Sequence, residues 1–152
     1  MRIPALILTC LLPAAASAHV TVWPRQAALG AYEKYAVRVP NEKRVATVRI
    51  DAQFPPQVRV ISFQDVPGWT IEPKRDASGR LVGASWTGSL PTERFVEFPL
   101  IAVNPKDGAD LSWTFVQHYA DGSTVEWSGA PGTTTPASVV TLVPAAEPMR
   151  HH

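Results

Sequence analysis

At 152 residues the chain has room for one ordinary domain. Its 14 Lys and Arg stand against 13 Asp and Glu, and no basic run is present. That leaves no electrostatic footprint for nucleic acid, and a single cysteine, Cys10, excludes an intrachain disulfide and a multi-thiolate metal site.

The first segment reads as a leader. Arg2 gives a positive start, Ala5 to Leu12 is a short apolar run, and Ala16-Ser17-Ala18 fits the small-x-small cleavage pattern. The expectation is a signal peptide over 1–18, a mature domain over 19–144 and a flexible tail over 145–152. Such a leader implies export to the periplasm or the cell exterior. Its removal takes Arg2 and Cys10 away and leaves charges balanced, with no thiol. Thr9 is a poor lipobox residue, so Cys10 is read as part of the leader. An amphipathic first helix is the alternative, but the segment has no polar face and no acidic residue. After Val143 the chain reads PAAEPMRHH, in which no membrane anchor is visible.

From His19 onward the chain reads as short strands. His19 to Trp23 comes first. Tyr32 to Val39 alternates, with Tyr35, Val37 and Val39 on one side and Lys34, Ala36 and Arg38 on the other. Thr47 to Phe54 also alternates, setting Val48, Ile50, Ala52 and Phe54 against Thr47, Arg49, Asp51 and Gln53. A period of two marks half-buried strands. Val58 to Phe63, Trp69 to Glu72, Leu81 to Trp86, Phe95 to Val103, Leu111 to Val116, Thr124 to Trp127 and Val139 to Val143 follow. Asp121-Gly122 suits a two-residue hairpin turn. Gly129 to Ser138, small and polar, reads as a mobile loop.

Thirteen of the fifteen prolines and all nine glycines fall from His19 onward, and no segment keeps a helical period. Strands of this kind imply an all-β fold, a single antiparallel β-sandwich or barrel. About 130 residues bury an adequate core without disulfides.

Four histidines are present, two of them, His151 and His152, in the tail. No pair has zinc-site spacing, and HExxH, GxSxG and a glycine-rich phosphate loop are all absent. His19 differs because of its position. A histidine at a mature amino terminus offers its α-amine and ring Nδ1 from one residue, which together close a chelate ring. Nitrogen donors of this kind suit Cu(II), which heads the divalent affinity order. A carboxylate from elsewhere could complete the site. Met149 is the one thioether beyond the leader, so a soft Cu(I) site is not expected. Without a ligand, His19 is only the first residue of a strand. The run His-Val-Thr-Val-Trp argues that this strand is paired into a sheet and that the histidine is held.

The segment His19-Val-Thr-Val-Trp-Pro24 resembles the start of the YcnI-like family of exported copper-binding proteins. Further stretches are similar in order along the chain: Gly30-Ala-Tyr-Glu-Lys-Tyr35, Val39-Pro-Asn-Glu-Lys43, Val66-Pro-Gly-Trp69, Trp86-Thr-Gly88, Glu97-Phe-Pro99, Asn104-Pro105, Gln117-His-Tyr-Ala-Asp-Gly122 and Val125-Glu-Trp127. The resemblance implies a β-sandwich, immunoglobulin/fibronectin-like or cupredoxin-like, with a single-histidine copper brace. It implies His19 as main ligand, Glu42 as first-choice carboxylate, Glu33 as reserve, and Trp127 beside the metal. It further implies copper storage, delivery or homeostasis rather than catalysis, with other copper-handling exported or membrane proteins as partners. Many members carry a carboxy-terminal membrane helix that is not seen in this sequence.

Read without the resemblance, Glu42 is a solvated turn residue, Glu33 a surface carboxylate and Trp127 a core residue. Two rivals remain. An oxidative enzyme with a histidine brace would need a second histidine, and His118 is the candidate. An adhesion or assembly module would need no metal.

Overall fold

The computed structural model describes residues 18–147. The proposed leader up to Ser17, together with Met149, His151 and His152 of the tail, lies outside the described residues. Within them, eleven strands form two sheets packed face to face. The smaller sheet runs β1 (Thr21–Trp23), β3 (Tyr32–Asn41), β8 (Arg94–Val103), β5 (Arg59–Phe63). The larger runs β2 (Gln26–Ala28), β11 (Ser138–Val143), β9 (Asp110–Tyr119), β4 (Thr47–Gln53), β7 (Leu81–Leu90), β6 (Thr70–Arg75), with β10 (Thr124–Trp127) also paired to β9. Among the described residues no helix is long and apolar enough to cross a membrane.

Alternation builds the core. Tyr35, Val37 and Val39 of β3 are fully buried, as are Trp113 of β9 and Ile50 of β4. Aromatic pairs bridge the two sheets. Trp86 of β7 stacks on Phe98 of β8 at 4.8 Å, and Tyr35 meets Trp113 at 5.2 Å. Truncating such a ring costs about 3–5 kcal/mol. Two of the stretches quoted above meet here: Trp69 lies edge-on to Phe98 at 5.0 Å, and its indole covers Gly88, where a side chain would collide with it.

The strands depart from the sequence reading in instructive ways. β2 has no alternation to announce it, and its register is parallel to β11, so the sandwich is not purely antiparallel. β7 continues past Gly88 to Leu90, and β9 continues to Tyr119. β6 includes Pro73, tolerated because β6 is an edge strand. In β4 a register shift between Thr47 and Arg49 turns Thr47 inward, fully buried, and leaves Val48 only half-buried. A bulge inserts one extra residue and so inverts the alternation beyond it. The β9–β10 hairpin closes over three residues, not two: Tyr119 N donates to Ser123 O at 2.9 Å, and Asp121 caps Ser123. The segment read as a mobile loop is tied down by its own backbone, with Gly129 N donating to Thr135 O and Ala137 N to Gly129 O, both at 2.9 Å.

The end of the sandwich away from His19 is clamped by Tyr35 and Asn104. The tyrosine hydroxyl donates to Asn104 Oδ1 at 2.6 Å, and Asn104 Nδ2 donates to Ala28 O at 2.8 Å. Burial pushes the Tyr35 hydroxyl up to about 12, so it stays a donor at any physiological pH.

Candidate metal centre

His19 is half-buried and lies just before β1, the edge strand of the smaller sheet. β1 is stitched to the other sheet where Val22 N donates to Ser138 Oγ of β11 at 2.8 Å. The seam between the sheets therefore runs beside His19. Across it lies Trp127, the last residue of β10. The His19 and Trp127 rings stand 5.4 Å apart, centroid to centroid, with planes inclined by 51°.

Trp127 faces inward and is 7% exposed. Its Nε1 donates to Gln117 Oε1 at 3.0 Å. Gln117 in turn donates from Nε2 to Thr47 Oγ1 at 2.8 Å and to Pro40 O at 3.1 Å. Both amide hydrogens and the amide oxygen are engaged, which a buried glutamine requires. The Thr47 bulge is what brings that hydroxyl inside. Pro40 belongs to the opposite sheet, so this one side chain spans the sandwich under Trp127.

Glu42 follows directly on β3, in a turn shaped by Asn41. Asn41 Nδ2 donates to Val45 O at 2.9 Å and to Leu90 O at 3.0 Å, while its Oδ1 accepts from Lys43 N at 3.0 Å. Glu42 itself is exposed. Burial, with the charges of Asp121 and Glu42 nearby, pushes the Tyr119 hydroxyl up. The Lys43 ammonium sits over the Tyr119 ring at 4.1 Å. β1 pairs β3 with Thr21 opposite Arg38, and the same register continued two residues sets His19 against Pro40. Glu42 thus lies at the same end of the sandwich as His19 and Trp127.

Glu33 does not. It pairs with Ala102 near the start of β3, seven residues before Pro40. At about 3.3 Å per residue that is about 23 Å along the strand. Burial raises its carboxyl, partly offset by a backbone hydrogen bond from Lys34. The structure does not bring this reserve carboxylate to His19.

His118 is also turned away. It follows Gln117 on β9, so it points to the outer face of the larger sheet, where its Nε2 lies 2.7 Å from Asp51 Oδ2. Asp51 also accepts from Arg49 Nε at 2.9 Å and from Ser85 Oγ, and Lys74 lies 3.5 Å away. Burial alone would raise the Asp51 carboxyl; the Ser85, Arg49 and His118 hydrogen bonds and the Lys74 charge outweigh it and hold the carboxyl at about 2. A hollow of about 600 Å³ opens on the same outer face, lined in part by Asp51, Lys74 and Glu126. It includes neither His19 nor Trp127, and Arg80 at its rim is already committed to Pro56 O and Val58 O.

Among the described residues no three His, Cys, Asp or Glu side chains converge where they could hold a metal. The side chains gathered at this end are thus one imidazole, His19, with the Glu42 carboxylate on the neighbouring turn.

A family model described as Domain of unknown function (DUF1775) matches residues 19–145. The chain belongs to this family. It is 32% identical over 141 residues to a protein named copper-binding protein CutI from Bacillus subtilis (strain 168), covering 91% of this chain and 69% of that one. A solved structure of an uncharacterized Nocardia farcinica protein, described as having an immunoglobulin-like fold, superposes with a TM-score of 0.73 at 29% identity, over 83% of this chain and 99% of that one. A cohesin module from a Clostridium perfringens ATCC13124 family 33 glycoside hydrolase shares the fold at a TM-score of 0.55 and 12% identity, over 84% and 97% of the two chains. The resemblance drawn from the quoted stretches is borne out. Of the sandwich types it implied, the immunoglobulin-like one is that of the Nocardia structure.

In this DUF1775 domain the residues that sequence reasoning left unassigned are Gln117, Thr47 and Asn41. Gln117 had a signal: it occupies an inward position of an alternating strand, where a polar residue needs partners. Thr47 had none, because the bulge is invisible to a period count.

Proposed function

We propose that this chain is an exported Cu(II)-binding protein whose metal site forms at His19 once residues 1–18 are removed, acting in copper storage, delivery or homeostasis. The observation that carries the reading is the placement of His19. It is the first residue of the DUF1775 match, and it sits at the sheet seam against a buried tryptophan. The name of the Bacillus subtilis relative supports copper as the ligand.

On this reading His19 supplies the amine and the imidazole, and Glu42 supplies an oxygen. Bound there, Cu(II) is cargo held by hard and borderline donors. Trp127 excludes water from one side of the imidazole, and Gln117 holds Trp127. Asn41 sets the turn that carries Glu42. The outward placement of His118 supports a binding role over a histidine-brace oxidative enzyme, which needs a second imidazole at the metal.

The test is copper titration of two forms that both begin at His19, one with a free α-amine and one acetylated on it. In the second, the His19 nitrogen is an amide and cannot serve as an amine donor. The expected outcome is tight binding by the first form alone. Equal affinity in both forms would remove the terminal amine from the site.

A further inference from the structure

The two outer faces of the sandwich differ in kind. Outward positions of the larger sheet carry Arg49, Asp51, Thr87, Thr114 and His118, a polar surface of the usual sort. Outward positions of the smaller sheet carry Trp23, Ala36 and Pro99 in one row of the β1–β3–β8 register, with Ile101 opposite Lys34 on one side and Phe95 beyond the Arg38–Glu97 pair on the other. Phe95 is 63% exposed and Trp23 41% exposed, and at the two far edges Tyr32 is 70% and Ile61 39% exposed. Singly exposed apolar residues are ordinary; several exposed aromatics on one sheet face, interleaved with cations, mark an interaction surface.

Charge on this face is one-sided. Among the positions that these strands turn outward, Lys34, Arg38 and Arg59 are cationic and Glu97 is the acid, already held by Arg38 at 3.1 Å. Arg25, just past β1, lies beside the face, with its guanidinium donating to Ser138 Oγ at 2.7 Å and to Val22 O at 3.2 Å. The chain as a whole is nearly balanced, so this excess belongs to the face. Two of the cations are joined to the aromatic surface itself: the Arg38 and Arg25 guanidinium carbons lie 4.8 Å and 5.8 Å from the Trp23 ring centroid. A small, open hollow of about 260 Å³ lies between Lys34, Phe63 and Pro99.

We infer that the outer face of the smaller sheet docks on an anionic phospholipid surface. A protein partner of high affinity seats anchor side chains in pockets, and this face offers little depth. A bilayer asks instead for flat contact, with amphipathic aromatics at headgroup level and cations against lipid phosphates. Trp23 between two arginines, exposed Phe95, and Lys34 with Arg59 match those requirements. Phe95 pairs with Pro40, the residue set against His19. Docking would therefore leave the His19 seam at the rim of the contact, open to exchange. The inference stands on the face alone and does not require metal at His19.

The test is sedimentation of the protein beginning at His19 with vesicles of phosphatidylcholine alone or of equal parts phosphatidylcholine and phosphatidylglycerol. Binding is expected to the anionic vesicles alone, weakening with salt, with a blue shift of tryptophan emission that Trp23→Phe removes. Lys34→Glu with Arg59→Glu should weaken binding by more than about tenfold, and Phe95→Ser should weaken it independently, both with unchanged circular dichroism. Arg75→Glu on the larger sheet should leave binding intact. Absence of binding to anionic vesicles, or equal loss in Arg75→Glu, would overturn the inference. Self-association in solution that Phe95→Ser abolishes, without vesicle binding, would assign the face to a second copy of the chain and overturn it equally.

Discussion

The indole of Trp127 and the side-chain amide of Gln117 are locked together, Nε1 donating to Oε1 at 3.0 Å. Through its other end Gln117 reaches Pro40, in the opposite sheet. The surface against which His19 rests is thus held from both layers of the sandwich. A buried polar network with every partner present rigidifies its surroundings, and the same network is costly when one member is lost.

Replacing Gln117 with leucine tests this directly. Gln117→Leu leaves the Trp127 Nε1 buried without an acceptor and strips a donor from Thr47 and Pro40. The expected loss of stability is about 1–3 kcal/mol, read from urea unfolding. On the copper reading, Trp127 should also quench less when metal binds, because its ring is no longer fixed. An unchanged unfolding midpoint would show that the network holds nothing.

Asp51 gives the fold a pH dependence of defined sign. Its carboxyl lies at about 2, below the ordinary 3.8, so folding favours the charged form. That contribution is complete above about pH 4 and is lost as pH falls towards about 2. Given the partial exposure of the cluster, it is worth about 1–2 kcal/mol. Asp51→Asn should cost that amount at neutral pH. The gap between variant and parent should close in acid. A gap that is constant across the range would mean that Asp51 acts through packing alone.

Much of the fold was legible because burial of one strand face imposes a period of two. Tyr35, Val37 and Val39 declared β3, and Ile50 and Ala52 declared most of β4. What stayed hidden came from tertiary pairing. β2 has only three residues and exists because β11 offers an edge. Thr47 faces inward because a bulge shifts the phase, and counting cannot see an inserted residue. At the site, the value of His19 followed from chelate chemistry at a chain terminus, and Trp127 entered through the resemblance. Glu33 and Glu42 could not be ranked by geometry until the β1–β3 register placed His19 against Pro40.

Gly88 tests the packing of two family stretches on each other. The Trp69 ring occupies the space where a side chain at 88 would stand. Gly88→Ala should force the indole off Phe98 and cost about 1–3 kcal/mol, the usual range for overpacking. Thermal melts would read the loss, and near-ultraviolet circular dichroism would report the displaced ring. A variant as stable as the parent, with an unchanged aromatic spectrum, would show that Trp69 yields without cost.

The carboxylates discriminate between geometry and mere proximity in sequence. Glu42 lies on the turn that follows Pro40, at the His19 end; Glu33 lies about 23 Å away along β3 by strand rise. With protein that begins at His19, His19→Ala should abolish specific copper binding. Glu42→Gln keeps the size and removes the charge, so it should weaken binding by about tenfold, equivalent to about 1.4 kcal/mol. It should also alter the electron paramagnetic resonance spectrum, because one oxygen donor changes character. Glu33→Gln should leave affinity and spectrum unchanged. On the proposed amine and imidazole donors, both nitrogens must lose protons to bind, so affinity in the parent should fall on acidification through the range where α-amines and imidazoles ordinarily titrate. Glu42→Gln should keep that dependence, since the nitrogens remain. A spectrum that is identical in Glu42→Gln and the parent would remove Glu42 from the site and leave water or backbone oxygen in its place.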